Sequence, residues 1–218
     1  EGKKCAMIIS SRGCVYGCIT GNTLINTIKG KLPIKDLVGK SIGIYTYNKN
    51  KKEVFIKQVN DIRKTGFKKI IRVNFDDGTH IDCTEDHKFL TFKNGNQFLK
   101  LREKWIEAKD LKKRMSVRAI KEYLVGSGYK NIKWGRNKSE YTHRLIAEYK
   151  LGRKLRKNEE INHIDRNKSN NSLENIEVLT IKQHKEKHKE EQSKRMKENN
   201  PAFNLPKEHF IKLGKMQK

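Results

Sequence analysis

Between residues 19 and 117 the apolar positions come in short runs separated by polar turn residues. Thr23–Ile25, Ser41–Tyr47, Val54–Val59, Ile70–Phe75 and Lys88–Phe92 mix β-branched and aromatic side chains, with Asn48-Lys49-Asn50, Asp77-Gly78 and Asn94-Gly95 as turn signals. This spacing predicts hairpins in a sandwich or compact β fold. Pro33 followed by Ile34–Leu37 predicts a short helical turn between the first strands. From about residue 118 the period changes. Thr142 is placed to cap a helix whose apolar Leu145, Ile146 and Tyr149 fall on one side, ended by Gly152. Glu160–Ile164 and Ile176–Thr180 predict two short strands flanking an Asn-rich loop, and Ile181–Glu198 has a helical pattern with almost no apolar stripe, hence a largely solvated helix. From Asn199 the chain is polar and basic, interrupted by Pro201 and Pro206. No internal repeat is present. The pattern divides the chain into a β half and an α+β half.

Charge adds a partner to this outline. The 218 residues hold 50 Lys and Arg against 25 Asp and Glu, a net charge of +25. Such an excess points to a polyanion, most simply nucleic acid. It is spread evenly: residues 18–117 carry a net +11 (22 basic, 11 acidic) and residues 118–218 a net +12 (25 basic, 13 acidic), so both halves can face the same polyanion. No apolar run is long enough for a membrane-spanning helix and no secretory leader pattern opens the chain, so the expected location is cytoplasmic. Of the four cysteines, Cys5, Cys14 and Cys18 crowd the first 18 residues and Cys83 stands apart, which is not a disulfide framework.

Two segments of the β half carry chemistry. One runs Cys18-Ile-Thr-Gly-Asn-Thr-Leu-Ile25, the other Asp77-Gly-Thr-His-Ile-Asp-Cys-Thr84-Glu-Asp-His87. A cysteine becomes an acyl acceptor when an imidazole handles protons nearby and the adjoining peptide bond is strained or polarised. Thr84 and His87, three residues apart across a turn, can converge on one peptide group. Together these segments resemble the N-terminal part of an intein, the self-splicing Hint domain, with its leading Cys and its later Thr-x-x-His block. The resemblance covers residues 18–117 and implies a mainly β, horseshoe-like Hint fold. By that resemblance Cys18 attacks the carbonyl of Gly17, while Thr84 and His87 activate and polarise the scissile peptide. Upstream, Cys14-Val-Tyr-Gly-Cys18 resembles the cluster-binding loop of a radical SAM enzyme, C-x-x-x-C-x-x-C, but Gly21 stands where the third cysteine belongs. An insertion just before the host's second cysteine accounts for this, which makes residues 1–17 host protein, the N-extein.

The α+β half contains Ile161-Asn-His163-Ile-Asp-Arg166-Asn-Lys168, then Asn175, then Gln183-His184 and His188. A strand ending in histidine, an Asn-rich loop, a second strand and a helix bearing another histidine can put His163 and His184 into one ββα unit. Phosphodiester hydrolysis needs a base for the water and a cation against the phosphate charge. The segment resembles the HNH motif of homing endonucleases over residues 140–190, implying an α+β HNH (ββα-metal) domain. By resemblance His163 is the general base, Asn175 fixes the loop that orients it, and Asn162 and His184 hold a divalent metal, most simply Mg²⁺. Asn162 departs from the family's frequent His or Asp, and a neutral amide oxygen is a weaker ligand for a hard cation than a carboxylate. His188, one turn beyond His184, is either a substitute ligand or a solvated helix residue. His143, Arg144, Arg166 and Lys168 are the expected double-stranded DNA contacts.

The resulting division is 1–17 N-extein, 18–117 Hint splicing domain, 118–190 HNH endonuclease domain, and 191–218 a basic tail that is either a DNA-binding module or disordered. The terminal His-Asn pair and following Cys, Ser or Thr of inteins do not occur before Lys218. Splicing is therefore expected to need a C-terminal intein segment and extein as partners. The rival readings are a nuclease whose Hint half is a degenerate scaffold, a DNA-binding module without catalysis, and a radical SAM protein.

Overall fold

The computed structural model describes residues 3–8 by their backbone, together with residues 18–92, 103–135 and 137–199. Cys14, Gly17, the Asn94-Gly95 turn and the tail from residue 200 lie outside the described residues. In chain order the elements are β1 (Lys3–Ile8), β2 (Ile19–Thr20), β3 (Leu24–Thr27), β4 (Gly30–Pro33), β5 (Ile42–Asn48), β6 (Glu53–Val59), β7 (Ile62–Lys68), β8 (Ile71–Asn74) and β9 (His80–Cys83). They continue with β10 (Lys88–Phe92), β11 (Glu103–Glu107), β12 (Ser116–Val117), β13 (Lys121–Leu124), β14 (Lys130–Gly135), β15 (Lys138–Tyr141), α1 (Thr142–Leu151), β16 (Glu159–His163), β17 (Ile176–Thr180) and α2 (Ile181–Asn199). The expected helical turn is a 3-10 turn at Ile34–Leu37.

The N-terminal region is mainly β, as expected, but it is a set of small antiparallel sheets. One has five strands in the order β7-β1-β2-β9-β8, one has four in the order β4-β3-β5-β6, and one has three in the order β11-β10-β12. β1 lies inside the first, with Cys5 opposite Thr20 of β2 and Lys3–Ile8 running along Lys68–Ile62 of β7.

The β5–β6 hairpin decides how the rest is arranged. Ile42, Gly43, Ile44 and Tyr45 are all buried in succession, which a strand with one wet face cannot produce. Ile42 and Ile44 join a core with Ile34, Leu37, Ile62 and Phe89. Tyr45, with Val54 and Ile56 of β6, joins a second core with Ile132, Trp134, Leu145, Ile146, Ala147 and Ile176. The hairpin is thus covered on both faces, and hydrophobic packing is continuous across residue 118. Gly43 sits where a Cβ would come within 2.9 Å of methyl groups of Ile28 and Ile56. A partly buried ion pair adds to this junction: Arg118 pairs with Glu103, donates to the Trp134 carbonyl at 2.7 Å, and stacks over Tyr47 and Phe92. Tyr47 also donates to Glu103 at 3.0 Å.

Beyond residue 118 the expected helix–strand–strand–helix order is present, preceded by a three-stranded sheet β13-β14-β15 that the apolar pattern does not reveal. Thr142 does not cap α1. It is the first helical residue after Tyr141, and its hydroxyl donates to Glu122 at 3.4 Å instead. Gly152 ends the helix in the left-handed conformation at φ 67, as a C-terminal glycine does. α2 buries none of its side chains, matching its polar pattern. Its start is fixed by reciprocal bonds: Gln183 Oε1 accepts from the Thr180 amide and hydroxyl, and the Gln183 amide donates to Thr180 Oγ1. None of the described helices is long and apolar enough to cross a membrane.

Candidate functional site

Two places gather reactive side chains, and the first is the end of β9. Cys18 is 1% exposed, and its amide donates to Thr84 Oγ1 at 3.0 Å. The Thr84 amide donates back to the Cys18 carbonyl at 2.9 Å, and the Thr84 hydroxyl stands 3.4 Å from that same oxygen. Thr84 therefore clasps Cys18 on both sides of its Cα, 66 positions away in sequence. The clasp forms because Ile19 pairs with Cys83, which delivers the next residue to the start of the chain's second strand. The Cys18 thiol lies 3.5 Å from Thr65 Oγ1, a neighbour that the sequence alone gives no means to find. His87 is held in the same turn: its amide donates to the Thr84 carbonyl at 3.1 Å and its ring meets Phe89 edge-on, centroids 5.0 Å apart.

The second place is the β16–β17 hairpin with α2 against it. Register sets Asn162 opposite Glu177 and His163 opposite Ile176. Because neighbours on a strand point to opposite faces, Asn162 and His163 serve different surroundings. Asn162 donates through Nδ2 to Glu177 at 3.1 Å, and Glu177 also accepts from Lys187 of α2. Lys187 first, then the Asn162 amide, holds the Glu177 carboxyl below its ordinary range. On the same face, Glu160 accepts from His184 Nδ1 at 2.7 Å.

His163 faces the other way. Its Nε2 is 2.9 Å from Asn171 Oδ1. With the Asn171 oxygen as acceptor, Nε2 donates and Nδ1 is the ring nitrogen that this contact leaves open. Around it stand Tyr129, at 5.9 Å between centroids, and His143, at 5.4 Å and edge-on. His143 stacks on Tyr141 as well. Burial first, then the neighbouring His163 and Arg144, pushes the His143 imidazole down to about 4, so it is neutral at pH 7. Tyr129 and Asn171 were absent from the expected site. Tyr129 belongs to the connection before β14, whose role the sequence pattern does not show.

Asn175 organises the loop between the two strands. Its Oδ1 accepts from the Asp165 amide at 2.8 Å, and its Nδ2 donates to Asp165 Oδ1 at 2.8 Å and to the Asn170 carbonyl at 2.7 Å. The Ile164 amide donates to the Asn175 carbonyl at 3.0 Å. Asp165 is held below the usual carboxylate range, by the Asn170 amide foremost. Arg166, at φ 62, turns the chain in the left-handed region at the head of this loop.

Residues 140–186 match the family model of the HNH endonucleases. They form an HNH endonuclease domain. The family implies nuclease activity on DNA, generally with a divalent metal. A ribonucleoside-diphosphate reductase large subunit from Invertebrate iridescent virus 6 is 28% identical over 135 residues, covering 58% of this chain. The chain spans 13% of that protein's length.

Within the HNH domain the donor chemistry for a cation is present but incomplete. His184 offers an imidazole with its far nitrogen fixed by Glu160, whereas Asn162 has turned its amide N–H to Glu177. Among the described residues, no three His, Cys, Asp or Glu side chains converge into a metal shell. Bound water and substrate phosphate would have to complete one, as they do for Mg²⁺ in phosphate-handling enzymes. The expected DNA contacts all lie on this domain with local partners. Arg144 pairs with Glu140 at 3.5 Å, Arg166 with Glu191 at 3.1 Å, and Lys168 stands 5.0 Å over the Tyr129 ring. His143 packs among rings and does not extend outward like the other three.

Proposed function

We propose that this chain is the N-terminal part of an intein, with its splicing domain at residues 18–117, carrying an HNH homing endonuclease and preceded by a piece of host protein. In this reading Cys18 attacks the Gly17 carbonyl, so that a thioester replaces the peptide bond and the Cys18 nitrogen leaves as an amine. The observation that carries the splicing part is the clasp between Thr84 and Cys18. The Thr84 oxygen accepts from the nitrogen of the very peptide that would break, a contact that holds that nitrogen in place. The similarity to a viral ribonucleoside-diphosphate reductase large subunit, of whose length this chain spans 13%, supports an element carried inside a larger host protein.

The nuclease half would cut DNA at a copy of the host gene lacking the insert. His163 is the base, drawing a proton from water onto Nδ1 while Asn171 holds Nε2. Asn175 keeps His163 in place through the loop, and Asn162 and His184 would hold a divalent cation, Mg²⁺ in the simplest case, which would supply positive charge against the phosphate. Arg144, Arg166 and Lys168 position the backbone without reading sequence.

Two assays test the two activities. Incubation with a small thiol should release residues 1–17 from the full chain and not from Cys18→Ala; no release from folded protein would leave a nuclease on a degenerate scaffold. Plasmid nicking should vanish in His163→Ala while DNA binding persists. Nicking by that variant at the original rate would remove His163 as the base.

A further inference from the structure

Thr84 engages the backbone of Cys18, but the Cys18 sulfur meets a residue of β7. Thr65 Oγ1 lies 3.5 Å from Cys18 Sγ. Strand order makes this meeting unexpected. β1 runs between β7 and β2, and strands two places apart are about 10 Å apart, too far for two short side chains that simply follow the pleat. The backbone is irregular at this point. Cys5 lies opposite Gly66 and Ala6 opposite Lys64, so Thr65 is the extra residue of a β-bulge. Gly66 beside it takes φ 88, in the left-handed region that suits glycine. The bulge changes the phase of the strand. Ile62 is buried, so strict alternation would turn Lys64 inward with it and Thr65 outward; instead Lys64 is exposed and Thr65 is half-buried. The strand gives up one ladder position and aims a hydroxyl at the thiol.

We infer that Thr65 is a catalytic residue of the proposed acyl shift: its hydroxyl donates to the Cys18 sulfur as the thiol proton leaves, holding the nucleophile where water does not reach it. The assignment rests on the splicing reading for its purpose, and on the bulge and the contact for its chemistry. The thiolate is the nucleophile, and a charge shut away from water needs a hydrogen-bond donor. Cys18 is 1% exposed, so the donor must come from the protein. A threonine hydroxyl rotates, so it accepts from the thiol and turns to donate once the sulfur is charged. Thr84 is engaged elsewhere: its hydroxyl oxygen accepts from the Cys18 amide at 3.0 Å, and its own amide donates to the Cys18 carbonyl at 2.9 Å. The two threonines divide the cysteine between them, Thr84 holding the leaving nitrogen and Thr65 the attacking sulfur. In the shift the sulfur bonds to the Gly17 carbonyl carbon, that carbon's bond to the Cys18 nitrogen breaks, and the thiol proton ends on the nitrogen. Nothing is oxidised or reduced, and Thr65 keeps its own hydrogen.

The test uses the full chain and two variants: Thr65→Val, which keeps the shape and loses the hydroxyl, and Thr65→Ser, which keeps the hydroxyl. Release of residues 1–17 by a small thiol should slow at least about tenfold in Thr65→Val, the worth of one hydrogen bond to a charged group, and Thr65→Ser should restore most of the rate. A second readout needs no cleavage. Iodoacetamide labels thiolates, and peptide mass spectrometry separates Cys18 from Cys83, which is 0% exposed and lies opposite Ile19. The ratio of Cys18 to Cys83 labelling should fall in Thr65→Val and recover in Thr65→Ser, whereas a variant that merely loosens the sheet raises both. Release by Thr65→Val at the rate of Thr65→Ser, or a ratio unchanged by loss of the hydroxyl, would overturn the assignment. No release from any folded chain, with the ratio falling and recovering as expected, would overturn the splicing reading and leave the bond between Thr65 and the thiolate standing.

Discussion

Val54→Ala probes the packing across residue 118. Val54 is 1% exposed, lies on β6 of the N-terminal region, and packs in the core that also holds Trp134, Leu145, Ile146 and Ile176. Truncation removes two methyl groups, about 1.6 kcal/mol at about 0.8 kcal/mol per buried carbon, and the cavity left behind raises the cost to about 2 kcal/mol. For a chain of 150–250 residues, about 2 kcal/mol lowers Tm by about 4–8 °C. The informative readout is where the loss appears. Trp134 reports the second core, and its indole donates to the Lys52 carbonyl at 3.1 Å in the β5–β6 turn. Hydrogen exchange at amides of α1 and β14 should accelerate along with those of β5 and β6, and Trp134 fluorescence should melt with them. If α1 and β14 keep their protection while only β5 and β6 lose it, the two regions fold independently and the shared core carries no energetic weight.

Other expectations follow from the site geometry. Thr84→Val keeps the shape but removes the acceptor for the Cys18 amide, so thiol-induced release should slow at least about tenfold, one hydrogen bond's worth, in a gel time course. His163→Ala should lower nicking by about 10²-fold or more, the range of a general base, with DNA affinity unchanged in a filter-binding assay. Asn175→Ala breaks two hydrogen bonds to Asp165 and one to the Asn170 carbonyl and should cost about 1–3 kcal/mol, seen as a lower urea midpoint. His143 provides a pH test. Its folded value near 4 lies below the ordinary 6.5, so the unfolded chain takes up the proton first and stability falls as pH drops from 6.5 towards 4. Urea titrations at pH 7 and pH 5 should show that loss, and His143→Phe should reduce it; an equal loss in the variant would assign it to other groups.

Much of this arrangement is legible in the amino acids, and the exceptions have physical causes. Val54–Val59 becomes a strand with alternate Val54 and Ile56 buried, Lys88–Phe92 one with Phe89, Leu90 and Thr91 buried in succession, while His163 ends its strand and Asn175 lies in the Asn-rich loop, as the pattern suggests. Residues 121–141 escape because β13 is a polar strand of exposed residues, Tyr123 and Leu124 among them, so alternation carries no signal there. Thr142 looks like a cap by type, yet Tyr141 takes the capping position and the threonine hydroxyl turns to Glu122. The consequences of pairing stay hidden for a different reason. That Glu177 would lie across from Asn162, and Tyr129 beside His163, depends on strand register and on a sheet formed elsewhere in the chain. No local pattern encodes either.

The position of β1 gives the proposed cleavage a mechanical side. That strand joins β7 to β2 in the five-stranded sheet and belongs to the stretch upstream of Cys18. Departure of residues 1–17 would split the sheet and leave β7 and the short β2 with bare amides and carbonyls, the kind of edge that recruits another strand. A processed chain would then be a strand acceptor: sticky, prone to self-association, and receptive to any extended segment that fits the empty lane.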